Sequence, residues 1–121
     1  MTDDPQHRDL LQHTPAVRED LAAVDQLHGA LETLFAKVPD DAVVATCLPA
    51  CVKFRILVRA LLIELDKLAR LAEGTAPAPQ DVNPSKARAL LDEWQAARTP
   101  FHDDAHRHKG YLEKLALRIY R

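Results

Sequence analysis

The 121-residue sequence predicts an all-α protein, an antiparallel bundle of three long, proline-kinked helices. Three observations carry that reading. Apolar residues recur at alternating three- and four-residue steps along three stretches of similar length, which is the period of one helical face. The one valine-rich segment, "DDAVVATC", is too short to argue for a sheet. The one extended run of turn-forming residues, "EGTAPAPQDVNP", separates the second stretch from the third.

The first helix is expected near residues 5–38. Leu10, Thr14, Val17, Leu21, Val24, His28, Leu31, Phe35 and Val38 form its face, widened by Leu27 and Leu34. Pro15 falls inside this series without shifting its phase. Two starts fit: Thr14 as N-cap with Pro15 at the first helical position, or Asp4 and Pro5 with a kink further on.

The second helix is expected near 40–73, capped by Asp40 or Asp41 and ended by Gly74. Its face reads Val44, Cys47, Cys51, Phe54, Val58, Leu61, Leu65, Leu68 and Ala72, passing Pro49 in phase. Val52, Ile56, Leu57, Leu62 and Ile63 add apolar surface on further sides. A helix apolar over most of its circumference is usually buried over most of it. The expectation is a homodimer in which two copies of this helix meet.

The third helix is expected near 84–120, with Asn83 as N-cap and Pro84 at the first helical position. Its face carries Ala87, Leu91, Trp94, Arg98, Phe101, Ala105, His108, Leu112, Leu115 and Ile119. Pro100 keeps the register, so one long kinked helix is favoured. The alternative is four helices with a break at Thr99–Pro100. Residues 1–121 then form a single helical-bundle domain, with 1–4 disordered and 74–83 as the inter-helix loop. Arg98 interrupts an apolar stripe and needs a carboxylate; antiparallel pairing levels offer Glu19 or Asp20, with Arg59 as a competing cation.

Composition narrows the function classes. Hydrophobic residues make up 47% and charged residues 28%, with a net charge of −2. That balance suits a globular chain and disfavours general nucleic-acid binding, which needs a basic excess; only a local stripe of Arg55, Arg59 and Arg70 would serve it. The start "MTDDPQHRD" lacks the apolar core of a signal peptide, and no stretch is apolar enough to span a bilayer. A cytoplasmic location without a membrane partner is the expectation.

The segment "TCLPACVKF" holds the chain's two cysteines, Cys47 and Cys51, one helical turn apart on the core stripe. Antiparallel pairing places His28 opposite residue 50 and His108 opposite residue 49, so both histidines share their layer. Two thiolates and two imidazoles are the ligand set of a tetrahedral zinc site, and soft sulfur ligands also suit Cu(I). Asp25 and Asp104 are candidates to orient an imidazole. Plain packing competes with this, because cysteine is often a small buried hydrophobe, and it is favoured over ligation. His102 and His106 are expected on a solvated face.

No phosphate-binding loop, nucleophile motif or helical di-iron motif is present in the sequence. The sequence therefore points to a non-enzymatic cytoplasmic helical interaction module, homodimeric through its second helix, with a protein partner and no cofactor. The alternative is a metal-binding (zinc or copper) or redox-responsive protein using Cys47, Cys51, His28 and His108.

Overall fold

The computed structural model describes residues 5–75 and 81–120. The expectation for residues 1–4 lies outside them, as does the middle of the inter-helix loop. Among the described residues all regular elements are helical: α1 (Pro5–Leu11), α2 (Thr14–Lys37), α3 (Ala42–Ala72) and α4 (Pro84–Ile119). Together α1 and α2 are the expected first helix, bent at Gln12–His13. The bundle is therefore the expected all-α one.

The bend has a local cause and a tertiary one. Pro15 has no N–H to offer the Leu11 carbonyl, so the helical ladder loses one rung there. The Gln12 and His13 amides still reach back to Arg8 and Leu10 at 3.0 and 3.2 Å. The kink was therefore the right one of the two starts, and Thr14 does not cap. His13 holds the cap position with an α-like backbone and no side-chain hydrogen bond. The bend lets α1 pack on α3 and α4, with Leu10 fully buried and Asp9 paired to Arg88 at 3.0 Å.

Pro49 and Pro100 leave their helices continuous, so the break at Thr99–Pro100 does not form. Both prolines are exposed, and the carbonyls they orphan, on Ala45 and Ala96, belong to exposed residues where water can serve them. The expected caps hold. Asp41 accepts from the Val43 and Val44 amides at 3.0 Å each, and Asn83 accepts from the Lys86 amide at 3.0 Å.

The middle helix α3 is the spine of the bundle. Both α2 and α4 pack along it, while α2 and α4 touch each other little. Val24 of α2 and Cys51 of α3 meet in the middle, and the tight turn between Val38 and Asp41 makes those two helices antiparallel. The main core joins Leu10, Val17, Val24 and Leu31 to Cys51, Phe54, Val58, Leu61, Leu65 and Leu68, closed by Ala87, Leu91 and Trp94. A smaller cluster of Leu34, Val44 and Leu115 closes the end beside the turn. One stripe position shifts there: Leu34 is buried, while Phe35 stays 40% exposed.

Next to that turn the Tyr111 hydroxyl donates to the Asp41 carboxylate, tying α4 to the α3 cap. That bond, then the Val44 amide, holds the Asp41 carboxyl below its ordinary 3.8, and it also raises Tyr111 above its ordinary 10.0. For Asp41, depressed in the fold, the stabilisation is present above pH 3.8 and is lost as pH falls through the lower folded value. For Tyr111, raised in the fold, it is present below pH 10.0 and is lost as pH rises through the higher folded value. Tyr111→Phe is expected to be less stable than the unaltered chain at neutral pH, with the gap closing at both extremes. Urea unfolding at about pH 3, 7 and 11 checks this; a gap independent of pH would contradict the coupling.

Candidate functional site

The Cys–His layer is the first place to look for chemistry. The Cys51 thiol is fully buried and donates to the Val24 carbonyl across the α2–α3 seam, at 3.6 Å. Burial pushes this thiol from its ordinary 9.0 up to about 11. Cys47 is half-buried, and burial followed by the Asp104 and Asp41 carboxylates raises it as well. A nucleophilic cysteine needs the opposite, a thiolate favoured by cations or a helix N-terminus. Both cysteines are free thiols.

His108 and Cys47 line one small, partly open cavity of about 50 Å³, together with Asp104 and, from α2, Leu27. His28 follows Leu27 in the sequence and is not among the residues that line this cavity. Its Nδ1 faces Glu32 on its own helix at 3.0 Å. The structure thus brings Cys47 and His108 together, sets Cys51 on a backbone carbonyl and turns His28 along α2. Among the described residues, no three His, Cys, Asp or Glu side chains are grouped so as to hold a metal ion.

A second polar centre is built around Asp20, whose side chain is buried between α2 and α4. Trp94, Arg98 and His102 stand at successive i, i+4 positions of α4, so one face of that helix presents three donors in a row. The Trp94 indole N–H donates to Oδ2 at 2.8 Å, and Arg98 donates from Nε to Oδ2 at 3.2 Å and from Nη2 to Oδ1 at 3.3 Å. His102 Nε2 lies 3.0 Å from Oδ1, a bond in which Nε2 carries the proton. The Arg98 guanidinium also covers the Trp94 ring at 4.7 Å, a cation–π contact.

Of the two acids expected for Arg98, Asp20 is the partner. His102 departs from the expected solvated face: it is half-buried, on Asp20 and edge-on to Phe54 and Phe101, while His106 remains exposed. Four donors occupy the two oxygens of Asp20, leaving no lone pair to accept a substrate proton. The cluster is a clamp between α2 and α4. Sequence reasoning reached Arg98 through its break in the stripe but missed Trp94 and His102. Their common four-residue spacing with Arg98 was the available signal.

Three open grooves flank these centres. Between α2 and α4, starting at the clamp residue His102, a groove of about 770 Å³ is lined by Leu27, Leu31, Leu34 and Leu112. A second, of about 700 Å³, lies between α3 and α4 along Phe54, Leu57 and Phe101, with Ile56 on its rim. The third, of about 550 Å³, lies between α2 and α3 and is rimmed by basic side chains. Arg55 is absent from it, being paired with Asp25, so the expected stripe of Arg55, Arg59 and Arg70 is interrupted at its first member.

No protein family, curated protein or solved structure matches this chain. Its own geometry has to carry the functional reading. Among the described residues no helix is long and apolar enough to cross a membrane.

Proposed function

We propose that the protein is a non-enzymatic helical interaction module that pairs with a second copy of itself through the outer face of α3. One observation carries the reading: Ile56 and Ile63 are 64% and 56% exposed on the central helix of the bundle. They are seven residues apart, hence on one face, and opposite the buried line of Cys51, Val58 and Leu65. Half-buried Val52 and Ala60 extend the same face. Fully covering an isoleucine stabilises by about 1.5–3 kcal/mol, so four of them across a two-fold axis offset much of the cost of association. The saturated Asp20 and the two raised thiols support the non-enzymatic part.

The test is sedimentation equilibrium. The unaltered chain is expected to be mainly dimeric at about 50 μM, which corresponds to a free energy near −6 to −7 kcal/mol. Ile56→Glu with Ile63→Glu is expected to sediment as a folded monomer, since neither side chain belongs to the core. A monomeric unaltered chain at that concentration defeats self-pairing.

The second reading, a zinc or copper centre using Cys47, Cys51, His28 and His108, is supported by the cavity that Cys47 and His108 share. Bound metal would need both thiols deprotonated and the Nε2 of His28 brought to the sulfurs, with Nδ1 free to keep its contact to Glu32. Elemental analysis of protein purified without an affinity tag separates the readings: bound metal near stoichiometry favours the centre, and its absence with freely titrating thiols favours packing.

A further inference from the structure

We propose that the groove between α2 and α3 binds an acidic, amphipathic helix of a partner protein. Its floor is apolar, formed by Leu21, Leu62 and the exposed Ile63. Among the described residues its rim carries Arg18, Arg59, Lys67 and Arg70 against one acid, Asp66. In a chain of net charge −2, that is a local concentration of positive charge.

The charges are only partly satisfied within the fold. Lys67 faces Glu64 at 3.2 Å, and among the described residues Arg70 Nη2 donates to the Thr75 carbonyl at 3.5 Å. Arg18 and Arg59 are exposed and make no ion pair among the described residues. A guanidinium held beside apolar surface is suited to a carboxylate that arrives with apolar neighbours of its own. Phosphate backbones have no use for the leucine floor, whereas an amphipathic helix would fill floor and rim together. Two parallel walls of helix also offer the ridges that a third helix packs into. Arg59 and Arg70 are eleven residues apart on α3, so the occupant must present carboxylates over about three turns, or ~17 Å.

The inference rests on the protein being an interaction module but not on self-pairing. Ile63 floors this groove and also lies on the self-pairing face, whereas Ile56 lies outside the groove, so Ile56→Glu alone is the variant that weakens pairing and leaves the site intact. The probe is a synthetic helix of about 18 residues with leucine on one face and glutamate on both flanks, followed by fluorescence anisotropy. Binding in the micromolar range is expected, weakening with added salt and falling at least about tenfold in Arg18→Glu/Arg59→Glu. Arg18→Gln/Arg59→Gln, which deletes charge without reversing it, is expected to lie between. The same peptide with lysine for glutamate is expected not to bind. Several results would overturn the proposal: no binding, equal binding by the double variant, or equal binding of the lysine peptide. So would tighter capture of a mixed-sequence oligonucleotide or of anionic lipid vesicles. Peptide binding by an unaltered chain that stays monomeric defeats self-pairing alone, whereas an unaltered chain that dimerises but whose Ile56→Glu variant, monomeric by sedimentation, ignores the peptide defeats only this groove.

Discussion

Asp20→Ala is expected to lower unfolding stability by about 3 kcal/mol, the lower end of the ~3–5 kcal/mol for breaking a buried pair. The reason is asymmetric. The carboxylate is buried at 4% exposure, and its removal strands the Trp94 indole N–H, the Arg98 guanidinium and the His102 ring at once. The Arg98 and His102 side chains are 37% and 40% exposed, so water compensates them partly and holds the loss to the lower end. Trp94 has no such outlet. For a chain of this size the change is a drop in Tm of roughly 10 °C, read by calorimetry. Asp20→Asn keeps the shape but not the charge and is expected to fall between. A drop within about 1 kcal/mol for alanine would show that the clamp does not hold α2 to α4.

Trp94→Ala is expected to cost about 3–5 kcal/mol, the largest single-residue effect in the molecule. Its ring is 1% exposed in the main core, beneath the Arg98 guanidinium and with His13 edge-on at 6.4 Å. Deleting it opens a cavity where α1, α2 and α4 meet and also removes one donor from Asp20. Trp94→Phe separates the two terms, since the ring stays and the N–H is lost; about 1–3 kcal/mol is expected. Because Asp20 and Trp94 share a bond, the double alanine variant should lose less than the sum of the singles, by about 0.5–3 kcal/mol. Additive losses in urea unfolding would place the cost in packing alone.

The helices were legible because their signals are local. Asp41 and Asn83 cap where a short polar side chain precedes an apolar period, and Pro84 opens α4 where its missing N–H costs nothing. Pro49 and Pro100 could be threaded in phase because the stripe on either side of each stays on one face. The partner of Arg98 was legible for a related reason: a charge on an apolar stripe must be answered at its own level, and antiparallel pairing sets that level. The shared position of Cys47 and His108 followed from the same pairing. The orientation of His28 was not legible, because it turns to Glu32 on its own helix, a rotamer choice that levels do not report. His102 was misplaced because it was set against the stripe of Phe101 and Ala105 rather than against Arg98, one turn earlier on the same face.

By itself, then, the sequence determined which residues are helical, which side of each helix faces inward and where caps end each run. These follow from propensity and period, which act within a few residues of the chain. Only the tertiary structure decided that the helix before Pro15 is interrupted at Gln12–His13, that Leu34 rather than Phe35 is buried, and that α2 and α4 both pack along α3. It also decided that Arg55 is spent on Asp25 while Arg18 and Arg59 face an open groove. Those outcomes depend on distances between helix axes and on side-chain rotamers. Period records the angle around an axis and says nothing about how far away the neighbouring axis lies.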